Sequence, residues 1–288
     1  MTSLLSVSYF PGCSLSTSAK ESNQSLVRIC EYMGLELKEL EDWNCCGTSS
    51  AHALDPDTAL GLCARILTLA PPDKPLMVMC PSCHKNLVHA LKTLRNDDPL
   101  RRRMERQWGG EISPKLQLVT FLELLNFLDR IRNMTGIPEP KQVRDLQGLK
   151  VAPYYGCMGM FPPTIRPKVG EPVFMARQLK ALGADVLNWM YSHRCCGTFL
   201  AAARPDVSTP RVNEIMASAR DAGAQVIVTA CAMCQLNLEI RCSLPESLPT
   251  LHFTELLALV LGAQDYPDWF ERHLVDPRPV LSQAGLIA

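Results

Sequence analysis

The sequence predicts an α/β protein of two homologous domains, each a small, mainly parallel sheet flanked by helices, the two related by pseudo-twofold symmetry. Three observations carry this expectation. A five-cysteine pattern occurs twice: Cys13, the pair Cys45-Cys46, then Cys80 and Cys83 as C-P-S-C; and Cys157, the pair Cys195-Cys196, then Cys231 and Cys234 as C-A-M-C. The stretches between them hold 31 and 37 residues before the pair and 33 and 34 after it, each the length of one strand-helix-strand unit. Short apolar runs lead into the lone cysteine and the C-x-x-C of each half. Successive cysteines therefore leave the same carboxyl edge of neighbouring parallel strands, where such sheets hold ligands.

The elements follow in order. Ser6–Phe10 reads as a strand ending in Pro11-Gly12-Cys13. Lys20–Met33 sets Leu26, Ile29, Cys30 and Met33 at helical spacing, an amphipathic helix. Glu36–Leu40 alternates as a strand, with Cys45-Cys46 in the loop beyond it. Thr58–Leu69 is a second helix stopped by Pro71-Pro72, and Leu76–Met79 is a buried strand running into Cys80. The second half repeats the order. Lys150–Tyr155 leads to Gly156-Cys157, Val173–Leu182 is helical, and Asp185–Trp189 is a strand ahead of Cys195-Cys196. Arg211–Ala222 is helical, and Gln225–Ala230 runs into Cys231.

The repeat reaches past the cysteines. Phe121-Leu122-Glu123-Leu124-Leu125 matches Phe253-Thr254-Glu255-Leu256-Leu257, each expected to open a helix. From the last cysteine to that Phe is 38 residues in the first half and 19 in the second, so the first half carries a 19-residue insertion around 96–114. Its basic run Arg101-Arg102-Arg103 reads as a solvated helix face. The expected boundaries are a first domain over 1–135, a linker over 136–148 bearing Pro138 and Pro140, and a second domain over 149–288 whose end, after Gln264, is a polar, proline-bearing tail.

Composition narrows the function classes. With 29 basic and 29 acidic residues among 288, the chain has no charge excess to draw it to nucleic acid or an anionic membrane. Its 22 prolines and neutral surface suit a subunit that buries part of itself against other proteins. Met1–Phe10 lacks a basic flank and is too short for a secretory signal, and Leu256–Gly262 falls far short of a membrane span. The expected location is the cytoplasm, where thiols stay reduced and a cysteine framework points to metal or redox chemistry rather than to disulfides.

Ten of the 13 cysteines are spent on the two matched sets. Thiolate is a soft ligand suited to zinc or iron–sulfur groups. Five sulfurs exceed the four of a structural zinc site, and no ferredoxin run C-x-x-C-x-x-C-x-x-x-C occurs. Adjacent cysteines diverge, which suits bridging within a larger, irregular cluster. Pro81 sits where a helix begins, placing Cys83 in a first turn whose amides favour negative charge. Gly12, Gly47, Gly156 and Gly197 adjoin cysteines and permit close backbone approach.

The doubled pattern resembles the cysteine-rich CCG domain of the heterodisulfide reductase B-type subunits, and the likeness covers essentially the whole chain. It implies two noncubane [4Fe-4S] clusters, one on Cys13, Cys45, Cys46, Cys80 and Cys83, the other on Cys157, Cys195, Cys196, Cys231 and Cys234. It implies reduction of a disulfide, CoM-S-S-CoB-like, to two thiols by two centres that each handle one electron. It also implies partners: a ferredoxin-type iron–sulfur protein like the C-type subunits of such complexes, and a flavoprotein like their A-type subunits. The chain has no ferredoxin motif and no G-x-G-x-x-G of its own, so it needs an electron donor.

His84, beside Cys83, and His193, two before Cys195, are the candidate catalytic proton donors, since histidine titrates near neutrality. Lys85, Arg166, Lys168 and Arg194 are cations within reach of an anionic thiol, though ordinary surface charge accounts for them as well. Cys30, Cys63 and Cys242 read as structural, and Trp43 and Trp189 as core. Two rivals remain. One keeps the cofactor and changes the reaction: a thiol-oxidising subunit, or an electron-transfer subunit of a flavin-linked complex. The other is a non-catalytic zinc scaffold.

Overall fold

The computed structural model describes residues 5–48, 51–126, 128, 141–160 and 174–288. Arg166, Lys168, Pro138 and Pro140, with 136–140 of the expected linker, lie outside them. The chain divides into two compact units: Met1–Ser16, Gly34–Ile137 and Pro162–Val169 form one, while Thr17–Met33, Pro138–Phe161 and Gly170–Ala288 form the other.

The first unit holds a four-stranded parallel sheet in the order β2-β1-β3-β4, made of β1 (Leu5–Phe10), β2 (Leu35–Glu39), β3 (Leu76–Val78) and β4 (Leu118–Val119). Tyr9 pairs with Glu39 on one side and Met77 on the other, and Met77 pairs in turn with Val119. Val7, Tyr9, Phe10, Leu76, Met77 and Val78 are all buried, as expected of central parallel strands covered on both faces. Around them lie α1 (Cys13–Ser16), α3 (Ala51–Leu54), α4 (Pro56–Leu69), α5 (Pro81–Asn96), α6 (Asp98–Trp108) and the helix α7 over 121–126.

The second unit repeats the topology as β6-β5-β7-β8, with β5 (Lys150–Tyr154), β6 (Asp185–Val186), β7 (Val226–Thr229) and β8 (Thr250–His252), all parallel. Its helices are α8 (Phe174–Ala181), α9 (Pro205–Asp221), α10 (Ala232–Arg241), α11 (Phe253–Val260), α12 (Tyr266–Phe270) and α13 (Arg278–Gln283). The helix α2 (Lys20–Tyr32) belongs to this unit although it follows the first lone cysteine. Its Ser25 hydroxyl meets Thr254 at 2.7 Å, Ser22 donates to Gln235 at 3.1 Å, and Arg28 pairs with Asp265 at 3.1 Å. Among the described helices, α2 is the one that groups with the other half of the sequence.

Several elements differ in extent from the sequence expectation. α4 starts at Pro56 because the Asp55 carboxylate accepts from the Asp57 and Thr58 amides, and Pro56 occupies the first helical position. α9 starts at Pro205 by the same use of proline and carries Pro210 internally, at the cost of one backbone hydrogen bond. β6 is shorter than Asp185–Trp189, although Leu187 still donates to Val151 at 2.9 Å. β4 and β8, two and three residues long, are too short to leave a sequence signal.

The stretch after Gln264 is not a peripheral polar tail. Trp269, Phe270, Leu281 and Leu286 are buried in the core, and His273 is tied to two buried glutamates. The insertion folds as α6, where Asp98 pairs with both Arg101 and Arg102 along a solvated face.

Two candidate metal centres

Each cysteine set is assembled by the same three strand ends. β1 finishes at Phe10, and Gly12, in the left-handed region at φ +78°, turns the chain so that Cys13 opens α1. The loop after β2 brings Cys45 and Cys46, and β3 runs into Cys80, which caps α5 ahead of Pro81 and Cys83. In the second unit β5 leads through Gly156 (φ +54°) to Cys157, the loop after β6 carries Cys195 and Cys196, and Cys231 caps α10 ahead of Cys234.

The structure brings all five sulfurs of the first set together. Cys13 and Cys45 lie 3.7 Å apart and Cys46 and Cys83 lie 3.0 Å apart, sulfur to sulfur. Protons are shared unequally along the array. Contact with Cys13 and then Cys46 holds Cys45 down at about 2, while Cys83 and the backbone amides around it hold Cys80 at about 7 against burial. Cys13, Cys46 and Cys83, their neighbours in the array, are pushed up. The chain of contacts runs Cys13, Cys45, Cys46, Cys83, Cys80.

The second set is grouped in two. Cys157 pairs with Cys195, which falls to about 6, while Cys234 holds Cys231 on one side and Cys196 on the other, the latter at 3.7 Å. The peptide bond between Cys195 and Cys196 joins the groups. Among the described residues, no three His, Cys, Asp or Glu side chains meet at one point as ligands of a single ion.

Both sets have one open and one buried side. Cys13 and Cys45 are exposed and Cys46, Cys80 and Cys83 are buried; Cys157 and Cys195 are half-buried and Cys196, Cys231 and Cys234 are buried. A β-carbon on Gly12 would stand 3.3 Å from the Cys83 sulfur, and one on Gly156 would stand 3.3 Å from that of Cys234. Five soft donors per set, with a glycine rather than a side chain against the Cys83 and Cys234 sulfurs, fit a multi-atom iron–sulfur group.

The Cys-Cys-Gly-Thr tetrapeptide has the same role in both units. Gly47 and Gly197, at φ +72° and +74°, aim their amides at the Cys45 and Cys195 sulfurs over 3.5 and 3.4 Å. The hydroxyls of Thr48 and Thr198 donate to the carbonyls of Ser82 and Met233, each at 3.4 Å, fastening the cysteine pair to the C-x-x-C turn.

Other fasteners differ between the units and carry no motif. Arg65 donates to the Asp42 carbonyl at 2.6 Å and to Asn44 at 2.9 Å, and Asn44 donates to the Cys45 carbonyl at 2.8 Å. Cys63 covers the Cys46 carbonyl at 3.5 Å, where Asn237 serves Cys196 at 2.9 Å. Tyr154 donates to the Arg194 carbonyl.

His84 is buried, with Nε2 4.0 Å from Glu123, and burial lowers its proton affinity more than Glu123 raises it. His193 is half-buried, stacked on Tyr155 at 5.0 Å and bonded through Nδ1 to Ser192 at 2.8 Å, in a cleft that Asn188 also lines. Arg194 is occupied by Glu214 at 2.6 Å, and Lys85 is exposed. Trp189 is core, but Trp43 is only half-buried, edge-on to Phe10. Cys30 and Cys63 are buried, and Cys242 is half-buried against Ser247.

Fold and site together define a duplicated α/β protein that gathers five thiols at one edge of each sheet. The chain belongs to the cysteine-rich CCG domain family, whose profile matches residues 7–88 and again 151–239. It is homologous to the B-type subunits of heterodisulfide reductases. It is 23% identical over 277 residues to the B-type subunit of the ferredoxin/F420H2-dependent CoB-CoM heterodisulfide reductase of Methanosarcina acetivorans, covering 89% of each chain. A protein of Archaeoglobus profundus, itself similar to the heterodisulfide reductase B-type subunits, is 25% identical, with 88% of this chain and 89% of that one covered. The 8-methylmenaquinol:fumarate reductase membrane anchor subunit of Wolinella succinogenes is 29% identical over 274 residues, covering 88% of this chain and 91% of its own. A hypothetical protein from Helicobacter pylori shares the fold at a TM-score of 0.69 and 13% identity, over 93% of this chain and 51% of that one. No helix among the described residues is long and apolar enough to cross a membrane.

Proposed function

We propose that the chain is the disulfide-handling subunit of a heterodisulfide reductase-type complex, with one noncubane [4Fe-4S] cluster on each five-cysteine set. The observation that supports this reading is the grouping of each set's sulfurs at the carboxyl edge of a parallel sheet, with the same open side in both units. Cys13, Cys45, Cys46, Cys80 and Cys83 would hold one group, and Cys157, Cys195, Cys196, Cys231 and Cys234 the other. When bound, such groups supply electrons singly, so two of them match the two electrons of a disulfide.

This chain's own residues do the rest. The buried cysteines anchor each site to a helix N-terminus, while the open pairs Cys13–Cys45 and Cys157–Cys195 mark the side a disulfide can reach. Gly12 and Gly156 keep the cradle clear. His193, half-buried in its cleft, is the better placed of the two proton donors; His84 reaches substrate only through Glu123 or a rearrangement of its buried ring. Electrons come from a ferredoxin-type iron–sulfur partner fed by a flavoprotein, in the cytoplasm, where the thiols stay reduced.

The Wolinella relative favours a second reading, an electron-transfer subunit in a complex of the quinol:fumarate reductase kind. Anaerobic co-purification with partners, followed by cluster spectroscopy with a panel of disulfides and with a quinol, separates the two. Spectral change on adding a disulfide supports the first. Change with quinol alone supports the second.

A further inference from the structure

We propose that Glu21, Glu239, Glu255 and His273 form a buried proton store that answers the charge state of the second cysteine set. The role rests on the redox reading of that set, but it is carried by residues outside it.

Four segments of the second unit meet in a polar interior. His273, after α12, bonds Glu239 of α10 through Nδ1 at 2.9 Å and Glu255 of α11 through Nε2 at 2.8 Å. The His273 and Glu255 side chains are fully buried and that of Glu239 is 4% exposed. The Gln235 amide nitrogen lies 3.4 Å from Glu255 and 3.3 Å from the His273 ring, while its oxygen accepts from Ser22 of α2 at 3.1 Å. Next to Ser22, Glu21 is 2% exposed, and its Oε2 has no hydrogen-bond partner among the described residues. Arg272 also faces Glu21, and His252 gives its backbone N–H to Glu255 at 2.6 Å. Gln235 directly follows Cys234 in α10, so the network is joined through the backbone to a cysteine of the set.

Two carboxylates and one imidazolium leave this interior one negative charge in excess. Burial, helped by Glu255, raises Glu21 to about 7, against the pull of His273 and Arg272. Burial opposes the charge on His273, but Glu255 and Glu239 outweigh it and raise the ring to about 11. Burial holds His252 at about 4, so it stays neutral. Glu21 is therefore the member poised to exchange a proton near neutrality.

A bound iron–sulfur group on the second set, reduced by a one-electron iron–sulfur donor, would add negative charge beside buried Cys234, at the start of this polar network. It thereby raises the proton affinity of Glu21. One electron comes from the donor and one proton from solvent, and no bond between heavy atoms forms or breaks. Glu255 is also the acid of the repeated Phe-x-Glu-Leu-Leu motif, which the cysteine pattern alone leaves without a role.

The test uses the full chain loaded with iron and sulfide under anaerobic conditions. Potentiometric titration across about pH 6–9 is combined with reduced-minus-oxidised infrared spectra. The expected result is one centre whose midpoint falls as pH rises, with a protonated-carboxyl band appearing on reduction. Glu21→Gln keeps the neutral shape of the side chain; it should abolish both signals while leaving iron content and the other centre unchanged. Glu21→Asp should restore a pH response. An unaltered response in fully loaded Glu21→Gln overturns the proton store and leaves the redox reading standing, whereas a chain that carries neither iron nor sulfide overturns both.

Discussion

Gly12 lies so close to Cys83 that a β-carbon built on it would stand 3.3 Å from the cysteine sulfur, and Gly156 stands in the same relation to Cys234. The backbone at the end of the first strand of each unit thus forms one wall of a cysteine cradle. Glycine is required there twice over, for its positive φ and for the space.

Gly12→Ala is accordingly expected to cost more than its conformation. Left-handed strain alone is worth about 1–2 kcal/mol. Gly148, at φ +73° with nothing among the described residues within 4 Å of where a β-carbon would stand, supplies the comparison. Gly148→Ala should lower the melting temperature and keep all the iron; Gly12→Ala should lower it and lose about half the iron, because only the first set is crowded.

The cysteine-pair loops depend on fasteners outside the motif. Arg65→Ala frees Asp42 and Asn44, which hold the Cys45 loop, and Asn237→Ala strips the donor from the buried Cys196 carbonyl. Each should cost about 1–3 kcal/mol in denaturant unfolding. Each should also speed iron loss to a chelator from its own set. Arg65→Lys should rescue little, since a lysine cannot span both acceptors as the guanidinium does.

The two histidines should separate in kinetics. His193→Gln is expected to slow disulfide turnover about a hundredfold with iron retained, the scale of a lost general acid. His84→Gln should change turnover only a few-fold and act mainly on stability, because the ring is buried beside Glu123.

Stability should fall as pH rises, in two windows. Glu21 is raised from 4.5 to about 7, so its contribution is full below 4.5 and lost as pH climbs through about 7. His273 is raised from 6.5 to about 11, so its contribution is full below 6.5 and lost through about 11. Thermal melting against pH should show a decline between 4.5 and about 7 that Glu21→Gln removes, leaving the decline above 6.5 that His273 contributes. His273→Gln leaves two buried carboxylates without their cation and should cost about 3–5 kcal/mol.

Much of this was legible in the residues. The cysteine intervals and the apolar runs before Cys13, Cys80, Cys157 and Cys231 placed the strands, because a strand buried on both faces is a continuous apolar run. The fourth strands left no trace, since two or three residues show no period. Nothing local could place α2: its amphipathic spacing says that it packs, while Ser22, Ser25 and Arg28 choose the second unit through partners more than 200 residues away. The stretch after Gln264 looked polar because its buried residues are spaced among prolines, and His273 gave no sign of its two glutamate partners. Arg65 and Asn237 were invisible for a similar reason. A side chain that holds a loop by its carbonyls leaves no spacing to read.

The most direct test of the account is the metal content of the full chain purified without oxygen. Two four-iron clusters predict about eight iron and about eight acid-labile sulfide per chain, falling to about half when Cys46 or Cys196 is replaced by Ala. One or two zinc ions with no sulfide would contradict it.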